Sequence, residues 1–293
     1  MRAEQTTTSD APPSCLNYSF SFRAGQLATG RIPLVMGILN VTPDSFSDGG
    51  VHLDLSRLRD TALAMAAEGA AILDIGGESS RPGAPPVAAA EELRRVLPAI
   101  EAIRAESPVP LSIDTVKPEV AREAIAAGAN IINDICGFAN PKMRQVAADT
   151  GAGAIIMHMQ GLPQSMQVNP SYADVVAEVR SFLGLQIERL VQDGIARERT
   201  MIDPGLGFGK TKDHNLKLLQ EIDAFASLER PVLVGISRKS TIGALTGRKT
   251  EERLAGTLAA QAFTMSQTGN LVFRVHDVPA TIDLCKVWSA LAR

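Results

Sequence analysis

The stretch RIPLVMGILNVTPDSFSDGG, residues 31–50, contains the pattern that is repeated through the rest of the chain. Its part from 34 to 39 is a short, nearly continuous apolar run, which is typical of a strand buried on both faces. The run stops at Asn40, and the residues that follow, such as Pro43, Asp44 and Gly49, favour turns. The stretch therefore predicts a buried strand that ends on a polar side chain and leads into a long loop.

The same arrangement recurs along the chain. Apolar strands are predicted at 34–39, 71–75, 110–113, 130–133, 154–157, 200–202, 232–236 and 271–275. Amphipathic helical stretches lie between them, for example at 55–68, 88–105, 118–127, 172–193, 215–225 and 251–267. Several are followed by a glycine that is typical of a helix end, at Gly69, Gly128, Gly194 and Gly269. Roughly eight such units in about 260 residues favour an α/β fold of the (β/α)8 TIM barrel type. A doubly wound open sheet is the competing topology.

Composition limits the classes of protein to which the chain can belong. With 293 residues, 45% of them hydrophobic, it can bury the core of one barrel or of two ordinary domains. A net charge of −3 without a basic stripe gives no reason to expect binding to nucleic acid or to a membrane. Cys15, Cys136 and Cys285 are odd in number and far apart, which argues against a disulfide framework or a zinc site.

The beginning of the chain differs in composition from the rest. Residues 1–16 are polar and lack the apolar core of a signal peptide, so we expect a disordered leader and a cytoplasmic protein. Residues 17–22 alternate apolar and polar side chains, and a second short run lies between Gly25 and Gly30, which together predict a β-hairpin. Residues 17–293 are predicted to form a single (β/α)8 domain.

Every predicted strand is followed by polar side chains. In a barrel, side chains beyond the carboxyl ends of the strands meet at one mouth, where such enzymes carry out their chemistry. Turns also favour Asp and Asn, which explains individual positions but less easily a complete ring. The ring comprises Asn40, Asp74, Glu78, Asp114, Asn133, Asp134, His158, Asp203, Ser237, Arg238, Lys239, Arg274, His276 and Asp277.

The ring divides by chemistry into two groups, which suggests a two-part substrate. Carboxylates, an amide and an ammonium suit the donors and acceptors of a flat, guanidine-like heterocycle; they belong to Asp114, Asn133, Asp203 and Lys239. A second group suits an anion and consists of Asn40, Arg81, Arg274 and His276. Internal salt bridges, for instance between Lys239 and Asp203, are the alternative interpretation.

Other features of the mouth are more ambiguous. The segment DPGLGFGK, 203–210, lacks the spacing of a nucleotide-binding loop, but its glycines would let the backbone approach a planar ligand. Phe208 would then contact a ligand or pack in the core. His158 lies in an apolar run and is interpreted as a core histidine. The loops around 44–48 and 79–83 are either lids or solvated linkers.

These residues are similar to those of bacterial dihydropteroate synthases. The matching segments, in chain order, are GILNVTPDSFSDGG (37–50), DIGGESSRPGA (74–84), SIDT (112–115), NDICGF (133–138), MHMQG (157–161), DPGLGFGK (203–210), GISRKS (235–240) and RVHD (274–277). The resemblance implies a barrel that is usually a homodimer and acts in folate synthesis. The implied reaction condenses 6-hydroxymethyl-7,8-dihydropterin diphosphate with 4-aminobenzoate, with Mg2+ assisting, and sulfonamides are implied to compete with the aminobenzoate.

The resemblance also implies a role for individual residues. The pterin would be held by Asp114, Asn133, Asp203 and Lys239. The diphosphate side would be served by Asn40, which also helps to hold Mg2+, and by Ser80, Arg81, Arg274 and His276. The aminobenzoate pocket would be shaped by Pro43, Phe46, Phe208 and Ser240. The implied catalytic residues are Asp114, Lys239, Arg274 and His276, with Asp114 facing a cationic pterin methylene that forms when diphosphate leaves.

The sequence departs from the family pattern at two positions. Ser80 replaces a usual Thr, and Thr241 replaces a commonly aromatic or apolar residue. Neither change removes a charged or hydrogen-bonding group. The alternative functions are a pterin-binding barrel of the corrinoid methyltransferase type and a non-catalytic barrel that binds a ligand or partner. The loops TPDSFSDGG and SSRPG and the anion-binding group argue against the first. The presence of Asn40, Arg81, Lys239 and Arg274 argues against the second.

Overall fold

The computed structural model of the chain describes residues 17–41, 51–79, 84–163 and 165–292, without the side chains of 51–54. The predicted leader, 1–16, lies outside these described residues. So do four of the predicted site residues, Pro43, Phe46, Ser80 and Arg81.

Eight parallel strands close into a barrel, which confirms the predicted fold and excludes the open sheet. A two-stranded antiparallel hairpin of β1 (Ser19–Phe22) and β2 (Gly25–Ala28) precedes it, as predicted. The barrel strands are β3 (Leu34–Asn40), β4 (Ile72–Gly76), β5 (Leu111–Asp114), β6 (Ile131–Asp134), β7 (Gly153–Met157), β8 (Thr200–Asp203), β9 (Val232–Val234) and β10 (Leu271–Val275). The last strand, β10, pairs with β3 and closes the ring.

The helices alternate with the strands, as expected for this fold. They are α1 (Val51–Ala67), α2 (Ala89–Arg104), α3 (Pro118–Ala126), α4 (Pro141–Thr150), α5 (Val175–Gln192), α6 (Lys212–Gln220), α7 (Ser240–Thr246), α8 (Leu254–Gln267) and α9 (Val278–Leu291). None of the helices in the described part of the chain has the length and apolar character that crossing a bilayer requires.

Among the differences from the predicted helices, two boundaries and one end glycine have local reasons. The single helix expected at 215–225 is interrupted, because Glu221 leaves the helical conformation and a 3-10 helix, Ile222–Leu228, follows α6. The helix expected from 172 begins at Val175, because the Asp174 side chain accepts hydrogen bonds from the first free amides. After α8, the left-handed residue is Asn270 (φ 57°), whereas Gly69, Gly128 and Gly194 have the positive φ expected of them.

The hairpin fills one end of the barrel. Phe20 is fully buried and belongs to the same apolar cluster as Met36, Ile72 and Ile131, which lie near the amino ends of their strands. This end is therefore packed with hydrophobic side chains. The polar side chains lie at the opposite end, where the strands finish.

Candidate active site

The register of the strands brings the predicted tip residues side by side. Asp74 pairs with Ser112, and Asp114 pairs with both Gly76 and Asn133. On the other side of the barrel, Asp203 pairs with Met157. Since paired residues of parallel strands project to the same face, these side chains converge inside the carboxyl end of the barrel.

One cavity at this end unites the four predicted heterocycle ligands. It is lined by Asp114, Asn133, Ile135, Met157, Asp203, Phe208, Gly235, Lys239 and Arg274. Its volume is about 20 Å³, room for about one water molecule. A planar ring can enter only if side chains that now fill the cavity move.

A larger groove, of about 350 Å³, lies between α3 and α4. Its lining includes Glu119, Arg122 and Lys142, on the outer helices rather than at the strand ends. The two groups that the sequence places at the mouth do not contribute to it, so we assign the site to the smaller cavity.

Arg274 is one of the side chains that fill the cavity. Its Nε atom donates to Asp74 Oδ2 at 2.6 Å, and its Nη2 atom donates to Asp114 Oδ2 at 2.8 Å. The sequence grouped Arg274 with the anion-binding residues, but here its guanidinium pairs with Asp114 of the heterocycle group and with Asp74. Internal salt bridges, the alternative interpretation, therefore exist in this cavity, but in two pairs of Arg274 that the sequence did not single out.

Lys239 is the second side chain that fills the cavity. Its ammonium donates to the carbonyl oxygen of Leu206 and lies 4.6 Å from the centre of the Phe208 ring. Burial lowers its pKa to about 8, although Asp203 favours the charged form. Lys239 therefore titrates within reach of physiological pH.

The two cavity carboxylates are affected by the same burial. Desolvation raises the pKa of Asp114 to about 7; Arg274 opposes this rise, while Asp74 adds to it. Burial also raises the pKa of Asp203, against the opposing charge of Lys239 and a 2.7 Å hydrogen bond that its Oδ1 accepts from the Gly205 amide. Both carboxylates are therefore harder to ionise in this cavity than in water.

The loops after β9 and β10 are tied together by two contacts. Ser237 Oγ lies 3.0 Å from His276 Nδ1, and Arg238 forms a two-pronged pair with Asp277, with Nε to Oδ2 at 2.8 Å. His276 is therefore held next to the segment that carries Lys239. Ser240 is exposed at the start of α7, and Asn40 is exposed at the end of β3, the strand beside β10.

Two of the three glycines that follow Asp203 in the segment 203–210 have a different role from the one predicted. A Cβ atom at Gly205 would lie 1.9 Å from the His158 carbonyl oxygen, and one at Gly209 would lie 2.3 Å from the Gln160 carbonyl oxygen. These two glycines let the loop approach the protein's own backbone after β7, not a ligand. Of the two alternatives for Phe208, contact with a ligand is favoured over packing in the core, because its half-buried ring lines the cavity.

Contacts between His158 and Lys210 hold the segment 203–210 in place. Lys210 Nζ lies 2.9 Å from His158 Nδ1 and donates to the Phe208 carbonyl oxygen at 3.0 Å. Burial lowers the pKa of Lys210 to about 7 and, together with the Lys210 charge, that of His158 to about 3. The interpretation of His158 as a buried, satisfied core residue is confirmed.

Two other tip residues support loops instead of lining the cavity. Asp134 accepts hydrogen bonds from the amides of Cys136 and Phe138, at 2.8 and 2.9 Å. Glu78 accepts one from the Val87 amide at 3.0 Å and pairs with Lys117. Sequence reasoning missed Lys117, which also reaches the fully buried Glu92 at 2.6 Å, and no sequence signal identifies it because its partners lie on other elements.

A magnesium ion would have few protein ligands here. Among the described residues, no group of three or more His, Cys, Asp or Glu side chains is arranged to hold a metal. Mg2+ often keeps several waters and takes only one or two protein oxygens in addition to substrate phosphates. The amide oxygen of Asn40 is a donor of the required hard type, so the residues present fit an ion held mainly by a diphosphate.

Comparisons with known proteins identify the family to which this chain belongs. The family model described as "Pterin binding enzyme" matches residues 36–276. The chain is 49% identical over 258 residues to the dihydropteroate synthase of Escherichia coli K12, covering 88% of this chain and 91% of that one. The structure of Xanthomonas albilineans dihydropteroate synthase with 4-aminobenzoic acid matches with a TM-score of 0.87 and 46% identity, over 94% of this chain and 99% of that one. A Yersinia pestis dihydropteroate synthase in a sulfonamide drug complex gives 0.86 and 42%, over 94% and 98%.

Proposed function

This chain belongs to the dihydropteroate synthases of the pterin-binding enzyme family, and we propose that the cavity at its strand ends is where that reaction takes place. It is a transferase that condenses 6-hydroxymethyl-7,8-dihydropterin diphosphate with 4-aminobenzoate, giving dihydropteroate and diphosphate. The observation that supports the location best is that a single cavity is lined by Asp114, Asn133, Asp203 and Lys239 together.

The pterin fits the chemistry of this cavity. Its aminopyrimidinone edge carries N–H donors, and the carboxylates of Asp114 and Asp203 accept such bonds. Lys239 would donate to a ring acceptor in place of the Leu206 carbonyl that it contacts now. Arg274 would likewise lose its hydrogen bond to Asp114, which would bind the ring instead. Hydrogen bonds within the protein are thus replaced by hydrogen bonds between the protein and the pterin, which limits the free-energy cost of opening the cavity.

The diphosphate is assigned to the edge of the mouth. Asn40, Arg274 and His276 lie on or just after the neighbouring strands β3 and β10. Arg offers a rigid fork of donors that suits phosphate oxygens. Mg2+ held by Asn40 and the diphosphate would offset negative charge on the leaving group. Ser80 and Arg81, outside the described residues, complete this group as predictions.

The aminobenzoate is assigned to the side of Phe208 and Ser240. The X. albilineans relative binds 4-aminobenzoic acid, and the same ligand is proposed here. The half-buried Phe208 ring offers an apolar surface, while Ser240 is exposed at the start of α7 and offers a hydroxyl. Pro43 and Phe46, also outside the described residues, would close the pocket. Since the Y. pestis relative binds a sulfonamide, we propose that sulfonamides compete with 4-aminobenzoate in this chain too.

The proposed chemistry uses fixed charges, with no nucleophile from the protein. The bond between the pterin methylene carbon and the diphosphate oxygen breaks, and the electron pair leaves with the diphosphate. The amine nitrogen of 4-aminobenzoate then attacks the cationic methylene and loses a proton. Asp114, as a carboxylate beside the ring, stabilises that cation, and Arg274, His276 and Lys239 maintain the surrounding charge balance.

The assembly and location of the enzyme are proposals as well. Large apolar side chains are exposed on the last two helices, including Phe263 on α8 (43% exposed) and Val287 on α9 (58%). Burying such side chains against a second copy would stabilise a homodimer. A folate-pathway role is consistent with action in the cytoplasm on small-molecule substrates, without nucleic acid or membrane partners.

A reconstituted reaction tests the proposed function. Purified protein is incubated with the pterin diphosphate, Mg2+ and 4-aminobenzoate, and both diphosphate and dihydropteroate are quantified. We expect the two products in equal amounts, and a loss of dihydropteroate when 4-aminobenzoate is omitted. An Asp203→Ala variant serves as a site control. Absence of both products, with an active relative run in parallel, would refute the proposed function.

A further inference from the structure

Asp74 is a buried carboxylate beneath the cavity that has no role in the proposed reaction. Its side chain has no solvent exposure and lies in the middle of β4. Its Oδ2 atom accepts hydrogen bonds from Arg274 Nε at 2.6 Å and from Asn133 Nδ2 at 3.2 Å. One oxygen therefore joins side chains from β10 and β6, on either side of β4.

The contact with Asp74 determines which way the amide of Asn133 points. A carboxylate that is paired with a guanidinium can only accept hydrogen bonds, so Asn133 must turn its NH2 group toward Asp74. Its Oδ1 atom is then left for the cavity, which Asn133 lines. Asn133 thereby joins Asp114 and Asp203 as an acceptor, and the cavity faces a ligand with three acceptors in total.

Asp74 can also anchor Arg274 by a hydrogen bond once a ligand is bound. The guanidinium bridges Asp74 and Asp114, but Asp114 is the partner that lines the cavity and meets the ring. Asp74 is fully buried and does not line the cavity, so its 2.6 Å contact with Arg274 can persist if Asp114 changes partners. The guanidinium of Arg274 would then rotate about its contact with Asp74 and remain at the carboxyl end of the barrel.

We propose that Asp74 is a positioning residue that selects the pterin by fixing Asn133 as an acceptor and by anchoring Arg274. The ligand class it favours is a fused pyrimidine that presents N–H donors at the edge facing the three acceptors. The inference rests on the proposed function, since it assumes that the cavity binds the pterin.

The test compares the binding of two rings to wild-type protein and to Asp74→Asn. The probes are pterin and lumazine, in which a carbonyl replaces the 2-amino group, and affinity is measured by calorimetry. The Asn side chain keeps the size of Asp but can donate as well as accept, so Asn133 is free to reverse. We expect the preference for pterin over lumazine to fall by about tenfold or more, as for one hydrogen bond mismatched in a buried site.

Two further variants separate this role from a general structural one. Ser112→Ala alters the Cα partner of Asp74 on β5 and leaves the carboxylate in place, so it should keep the wild-type preference. The double exchange Asp74→Asn with Asn133→Asp keeps the total charge and returns an acceptor to the cavity, so it should restore the preference for pterin.

The possible results separate the role of Asp74 from the proposed function. A folded Asp74→Asn protein whose pterin-to-lumazine ratio stays within about twofold of wild type would overturn the role of Asp74. An equal loss in Ser112→Ala would also overturn it. In either case, a wild-type protein that still produces dihydropteroate leaves the proposed function intact, whereas a wild-type protein that forms none refutes that function.

Discussion

The raised pKa of Asp114 predicts that burying this carboxylate in the cavity lowers the unfolding free energy of the enzyme. Burial moves the pKa from an ordinary value of 3.8 to about 7. This change corresponds to about 4 kcal/mol of unfolding free energy once the group is ionised in both states. Because 14% of the side chain is exposed, solvent reduces this cost, and we expect roughly 2 to 4 kcal/mol.

The sign of the effect depends on pH. Between pH 3.8 and about 7, the folded protein keeps a proton that the unfolded chain has lost, so the stability contributed by this group falls as pH rises. Asp114→Asn removes the charge and keeps the size of the side chain. The variant should therefore be more stable than wild type by roughly 2 to 4 kcal/mol at pH 8, and the difference should shrink toward pH 4.

The assay is equilibrium unfolding in urea at pH 5, 6 and 8, provided that unfolding is two-state. Asp60→Asn is the matched control, since that carboxylate is 64% exposed and should change stability by no more than about 0.5 kcal/mol. Pterin binding is measured in parallel and should be weakened in Asp114→Asn. A variant that is less stable than wild type at pH 8, or a difference that does not vary with pH, would refute the reasoning.

Three further predictions concern other parts of the molecule. Lys239→Ala should weaken pterin binding by about 1 to 3 kcal/mol, because a ligand acceptor loses its donor, and calorimetry showing unchanged affinity would rule out that role. Lys210→Met should lower the unfolding free energy by about 1 to 3 kcal/mol, because the Phe208 carbonyl and His158 lose a buried hydrogen-bond donor. Lys212→Met, at an exposed side chain, is the control and should leave the unfolding free energy unchanged. Equal effects of the two substitutions in urea unfolding would contradict this prediction. Phe263→Glu should shift the proposed dimer toward monomer in analytical ultracentrifugation, and a variant that stays as dimeric as wild type would exclude α8 from the interface.

The parts of the site that could be predicted from sequence are those set by the backbone. A buried strand that ends in a polar residue fixes where that residue lies in a barrel, so Asp114, Asn133 and Asp203 were placed correctly around one cavity. Phe208 and Lys239 were found because each lies in the segment that follows a barrel strand, β8 and β9 respectively. The barrel itself was predictable because its strands and helices alternate regularly.

The parts that could not be predicted depend on how far long side chains reach. Arg274 extends from β10 to carboxylates on β4 and β5, which sequence spacing does not reveal. Lys117 bridges Glu78 and Glu92 for a similar reason. Gly205 and Gly209 were interpreted as facing a ligand, but the backbone they approach lies 47 and 49 residues earlier in the chain, which only the fold brings close.

The most direct measurement is a crystal structure of this protein with a pterin bound. We expect the ring to lie between Asp114, Asn133 and Asp203. Lys239 should have left the Leu206 carbonyl to contact the ring, and Arg274 should have released Asp114 while keeping its contact with Asp74. A ring bound in the groove between α3 and α4, or anywhere else with the Lys239 and Arg274 contacts unchanged, would contradict the account.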